Sequence, residues 1–100
     1  MIRHIVMFQL KEFASPDEKL ATMEAIKDAL EALPGKIDVL RSIRVDFNIN
    51  PSEAWDMVLT AGLDSLEDVR LYADHPAHTA VATNLIAPVK INRACVDCEV

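Results

Sequence analysis

The run Ile2-Arg3-His4-Ile5-Val6-Met7-Phe8-Gln9-Leu10 contains neither glycine nor proline and is apolar on both sides of a two-residue repeat. As a strand it places Ile2, His4, Val6, Phe8 and Leu10 on one face, with Arg3, Ile5, Met7 and Gln9 on the other. Apolar surface left in water forgoes roughly 25 cal/mol per Å². Both faces of the sheet that holds this strand therefore need a cover. The run is too short, and too interrupted by Arg3 and His4, for a secretion signal or a membrane span. The expectation is a cytoplasmic protein with no membrane partner.

The rest of the chain supplies the other elements. Ser15-Pro16-Asp17-Glu18 reads as a helix start, with Ser15 as N-cap, Pro16 in the first helical position and Glu18 closing a capping box. Leu20, Met23, Ile26, Leu30 and Leu33 then recur at steps of three and four, and Pro34-Gly35 ends the helix. Between residues 37 and 49 the apolar side chains alternate, which predicts a second strand. On this reading Ile37, Val39, Ile43, Val45, Phe47 and Ile49 share a face, and Leu40 lies on the other. A turn at Asn50-Pro51-Ser52-Glu53 leads to a third strand, Trp55 to Leu63, paired with the second as a hairpin. Ser65 or Asp64 caps a second helix, with Leu66, Val69 and Ala73 among its apolar positions. The His75-Pro76 step breaks it, because the residue before proline resists the helical basin. A short third helix to about Leu85 and a last strand from about Val89 to Val100 complete the chain.

The order βαββαβ predicts an α+β, ferredoxin-like fold in one domain over residues 1–100: a four-stranded antiparallel sheet with helices on one face. The other face stays bare, yet strands one, three and four read as apolar on both sides. A patch of that size exceeds the ~300–600 Å² typical of a monomer's largest. No segment remains to cover it, so the sequence predicts a two-fold homodimer packed through the open sheet face.

Charge and cysteine content narrow the partners. A net charge of −6, with dispersed Lys and Arg, excludes nucleic acid and an anionic membrane surface. A small organic ligand or another protein remains. Cys95 and Cys98 lie three apart on a strand, hence on opposite faces, so neither a disulfide nor a shared metal is expected. The pair His75 and His78 lacks further ligands at a complementing spacing, and no metal or cofactor site is assigned. With glycine only at positions 35 and 62, no phosphate-binding loop exists.

Tyr72-Ala-Asp-His75-Pro76-Ala-His78 is the densest chemical cluster. Tyr72 and His78, six positions apart, would face differently on a continuous helix, but the break at Pro76 can redirect the second. Imidazole titrates near pH ~6.5, so His78 suits a general base, with Tyr72 and His4 as donors or orienting groups. The structural reading of the same residues is a helix break with His75 as a cap, a core tyrosine and a core histidine.

His-Ile-Val-Met-Phe-Gln-Leu at the start, Leu-Pro-Gly after the first helix, Ser-Leu-Glu-Asp-Val-Arg-Leu-Tyr-Ala-Asp-His-Pro-Ala-His and the closing Val-Asp-Cys-Glu together resemble the stress-responsive dimeric α/β-barrel (Dabb) domain. The resemblance spans essentially the whole chain and implies two ferredoxin-like protomers whose sheets pair into a barrel. A plant polyketide-cyclase branch of that family performs aldol ring closure in a cavity between sheet and helices. It uses positions equivalent to His4, Tyr72 and His78, and needs no cofactor. Many other members have no assigned reaction. This chain departs from the pattern at Ala61-Gly62-Leu63 and at Cys98, where aromatic residues are common. Smaller side chains there are expected to widen a pocket or repack the core. Two functions follow. One is a ligand-binding barrel with cyclase- or isomerase-like acid–base chemistry. The alternative is a non-catalytic stress or interaction protein acting through its dimer surface.

Overall fold

β1 (Ile2–Leu10) holds the position that its two apolar faces demand, hydrogen-bonded on both sides within the sheet. In the computed structural model, which describes residues 1–100, it is followed by α1 (Pro16–Glu31), a 3₁₀ turn (Leu33–Gly35), β2 (Ser42–Phe47), β3 (Met57–Leu63), α2 (Leu66–Asp74), α3 (Pro76–Val81) and β4 (Lys90–Glu99). The sheet is antiparallel throughout, in the order β2-β3-β1-β4, and the architecture is ferredoxin-like.

α1 and α2 both start at the serine caps, although the capping box expected at Glu18 is only half formed. The Ser15 hydroxyl accepts from the Glu18 amide at 3.1 Å, and the Ser65 hydroxyl accepts from the Asp68 amide at the same distance. Each satisfies a donor that the first helical turn leaves free. Met23, Ile26 and Leu30 of α1 are buried against the sheet, whereas Leu20, on the same stripe, is half exposed. In α2 the buried side chain is Tyr72, while Leu66 is exposed.

β2 is shorter than its alternation suggests. The amides of Lys36 and Ile37 donate to the Leu33 carbonyl at 2.8 and 2.9 Å, and Leu40 donates to Ile37 at 3.1 Å. These turns satisfy locally the groups that a strand would place in the ladder. Ile37 and Leu40 consequently both enter the core from turns, and Ile49, beyond the strand, is 94% exposed. The third strand likewise starts at Met57 rather than Trp55.

Two polar contacts fix the layers. The Asp56 carboxylate accepts from the Leu10 amide at 2.7 Å and from Lys19 Nζ at 2.6 Å, tying the end of β1 to the start of α1. Glu31 accepts from the Val45 amide at 2.9 Å while Lys27 donates to the Val45 carbonyl at 2.7 Å. This pair occupies the outer edge of β2 at Val45, which blunts that edge against strand addition.

Register divides the sheet into two faces. Toward the helices lie His4, Val6, Phe8, Val45, Leu59, Ala61 and Leu63, all buried. On the other face, Ile5, Met7, Val58, Ala94, Val96 and Cys98 form an apolar strip across β3, β1 and β4 that nothing in the chain covers. Two sequence expectations change. β4 is not apolar on both sides, since its helix-side residues are Arg93, Cys95, Asp97 and Glu99. Gly62 and Cys98 stand on the open face, level with Arg3, so their small size does not widen any space between sheet and helices.

Candidate active site

The break at Pro76 builds the site. His75 leaves the helical basin (φ −65°, ψ 135°), and α3 restarts at a new angle. His75 caps that restart, its Nδ1 accepting from the Ala77 amide at 3.0 Å. His78 is thereby turned back onto α2. Its ring centroid lies 4.5 Å from that of Tyr72, and the Tyr72 ring meets His4 edge-on at 6.0 Å. The three side chains proposed from sequence are contiguous.

They line a cavity of about 290 Å³ between the sheet and the helices. Val6, Phe8, Leu30, Leu59 and Ile86 form apolar walls, and Lys90 and Arg93 of β4 also border it. The Tyr72 hydroxyl is fully buried and has no hydrogen-bond partner. Burial raises its pKa to about 12, with the Arg93 charge acting weakly in the other direction, so at neutral pH it is a proton donor.

Both imidazoles are oriented through Nδ1. The His78 Nδ1–H donates to the Ala73 carbonyl at 2.9 Å, which leaves Nε2 with its lone pair. Burial holds the His78 pKa below its ordinary value of 6.5, outweighing the opposing effect of that backbone bond. His78 is therefore neutral at pH 7 and available as a base. His4, itself buried, donates Nδ1–H to the Asp97 carboxylate at 2.6 Å, and its Nε2 is likewise free of protein partners. A carboxylate behind an imidazole fixes the tautomer and steadies the imidazolium if the ring takes a proton.

Asp97 was not singled out by sequence reasoning. The available signal was the β1–β4 register, which sets Asp97 directly opposite His4. The same register brings Cys95 Sγ to 3.6 Å from His4 Nδ1. His4, Cys95 and Asp97 thus offer three donor atoms within 4.8 Å of one another, a set whose chemistry suits zinc. The contact of 2.6 Å between His4 and Asp97 is shorter than the roughly 3.3 Å that separates two ligands each ~2.0 Å from a tetrahedral ion. It is a hydrogen bond that orients His4. Burial and the neighbouring Asp97 charge also raise the Cys95 pKa, so this thiol is no ready nucleophile. His75 Nδ1 accepts from a backbone amide, so its neutral ring carries the hydrogen on Nε2 and offers no free lone pair for an ion shared with His78. Cys95 and Cys98 are unbonded, on opposite faces.

Comparison with known proteins places the chain in a family. The chain matches the Dabb family, described as the stress responsive A/B barrel domain, over residues 2–100. A solved structure from Bacteroides fragilis, described as a dimeric protein of unknown function with a ferredoxin-like fold, is similar at 45% identity and a TM-score of 0.91. The alignment covers 99% of this chain and 95% of that one. An uncharacterized protein of Streptomyces coelicolor is 36% identical over 83 residues, 80% of this chain and 81% of its own length. A hydroxynitrile lyase from Passiflora edulis, at 14% identity and a TM-score of 0.78 over 97% of this chain and 90% of its own, shares the fold alone. The chain belongs to the stress responsive A/B barrel domain family.

Proposed function

We propose that the chain binds a small organic ligand between sheet and helices, and performs cofactor-independent acid–base chemistry there with His78, Tyr72 and His4. The observation that carries this reading is the Tyr72 hydroxyl, buried without a partner at a cavity bordered by two imidazoles. An unsatisfied buried hydroxyl costs about 1–3 kcal/mol, which an oxygen-bearing ligand accepting its proton would recover. The cavity of about 290 Å³ lies just below the range for small-ligand sites, about 300–1,000 Å³.

In the proposed chemistry, a ligand carbonyl accepts from Tyr72 and its adjacent acidic C–H meets His78 Nε2. His78 takes the proton as the electron pair moves onto the carbonyl oxygen, where the Tyr72 hydroxyl stabilises the developing negative charge. The resulting enolate then either closes on a second carbonyl, as in an aldol cyclisation, or recovers the proton at another carbon. His4, its Nδ1 committed to Asp97, orients a second polar group of the ligand through Nε2. Removing the Tyr72 donor from such an oxyanion is expected to cost about 10²–10³ in rate.

We further propose a homodimer through the open sheet face. The uncovered strip of Ile5, Met7, Val58 and Val96 supports it, as does the dimeric relative at 45% identity. The alternative of a non-catalytic protein acting through that dimer surface anticipates no ligand-sized space and unperturbed histidines. The cavity and the lowered His78 pKa favour the ligand-binding reading.

Three measurements test these proposals. Tyr72→Phe should leave unliganded stability unchanged or raised by up to about 1 kcal/mol, because it removes an orphaned polar group, while weakening a ketone probe such as acetophenone about three- to tenfold. A variant that unfolds more easily, with unchanged acetophenone affinity, would make the hydroxyl structural.

Because the folded His78 pKa lies below 6.5, the unfolded chain binds the extra proton first as pH falls. The contribution of neutral His78 is fully present above about pH 6.5 and is lost on acidification. Urea unfolding at pH 7.5 and 5.5 should show wild type losing more stability than His78→Gln; equal losses would contradict burial of the neutral ring. For the dimer, light scattering should give a mass of about twice 11.1 kDa, and Val96→Lys should lower it toward the monomer. A monomeric wild type would refute the pairing.

A further inference from the structure

The cavity bears a charge opposite to that of the chain. The protein carries 16 acidic against 10 basic side chains, yet no Asp or Glu borders the cavity, whereas Lys90 and Arg93 do. Lys90 and Arg93 form no ion pair, unlike Lys19, Lys27, Arg41 and Arg44, each of which holds a carboxylate.

Their placement depends on an irregularity in β4. Residues three apart on a regular strand point to opposite faces. Here the β1–β4 register slips between Gln9 and Leu10: Arg93 pairs with Phe8 and Asn92 with Gln9, but Leu10 pairs with Lys90, passing over Ile91. Phe8 and Leu10 both lie on the buried, helix-facing side. The bulge thus brings Lys90 and Arg93 to the same side, at the cavity border, a common effect of bulges beside functional sites. The Arg93 charge is also felt inside, being among the influences on both Tyr72 and His78.

We propose that the ligand is an organic monocarboxylate, its anionic group held by Lys90 and Arg93, its apolar body against Phe8, Leu30 and Leu59, and a carbonyl oxygen directed to Tyr72. This inference rests on the ligand-binding reading above and specifies its chemical class. A guanidinium and an ammonium on one rim provide the planar fork and the point charge that suit a carboxylate. The apolar walls provide no partner for a second charge away from that rim, so a ligand with a carboxylate at each end is disfavoured.

The test uses benzoylformate and its neutral methyl ester, which share the aromatic ring and ketone and differ in one charge. Calorimetric titration of the full-length protein at low salt should show the acid binding at least about tenfold more tightly than the ester. Lys90→Gln combined with Arg93→Gln should remove most of that ratio while leaving ester affinity within about twofold. Raising the salt should weaken the acid and spare the ester. Both positions are exposed, so folding of the variant is not at risk.

Equal affinity of wild type for acid and ester, or a ratio that survives in the double variant, would overturn the carboxylate assignment. In the first of those cases, ester binding that weakens in Tyr72→Phe would keep the cavity reading intact. Failure of both compounds to bind at millimolar concentration would overturn the carboxylate assignment together with the ligand-binding reading.

Discussion

The pairing of β1 on both edges governs the molecule. With β3 on one side and β4 on the other, its alternation sends His4, Val6, Phe8 and Leu10 toward the helices and Ile5 and Met7 toward the open face. A slip of one residue would exchange these sets, exposing the core and removing His4 from the cavity. The same register sets Asp97 opposite His4, so the dyad is a product of the ladder rather than of a flexible loop. Asp56, accepting from the Leu10 amide, and Glu31 with Lys27 at Val45 hold the helical layer in place over that sheet.

Against this scaffold the Pro76 break has a chemical consequence. A continuous helix would carry His78 away from Tyr72. The extended His75, capping α3 with its own imidazole, sets the two rings 4.5 Å apart instead. Partial burial then divides their roles, because it disfavours charge on each. Tyr72 keeps its proton and His78 stays without one, which is the pairing of donor and base that enolate chemistry requires. The apolar enclosure that tunes both groups also limits the ligand to a body that such walls accept.

Much of this was legible in the sequence, for identifiable reasons. The two-sided apolarity of β1, the Ser-Pro-Asp-Glu helix start and the His75-Pro76 break are local signals, and each became the expected element. The open face followed from counting covers. Other features were hidden because they depend on partners distant in sequence. Ile37 and Leu40 alternate like strand residues, but turns anchored on the Leu33 carbonyl bring both into the core. Asp97 gains meaning only once its pairing with His4 is known. Lys90 and Arg93, three apart, would face oppositely on a regular strand, and only the register slip at Leu10 brings them to one side. A wider pocket was one of two expectations at Cys98 and Gly62, which lie on the open face of the sheet.

The central claim is that a neutral His78 presents its Nε2 lone pair to a cavity beside a protonated tyrosine. Long-range proton–nitrogen correlation spectra of ¹⁵N-labelled protein at pH 7 report which nitrogen of each histidine carries hydrogen. His78 should show a protonated Nδ1 and a bare Nε2, and that Nε2 signal should move when a ketone-bearing ligand is added. An Nε2–H on His78, or a doubly protonated His78 ring at that pH, would leave the site without its base and contradict the account.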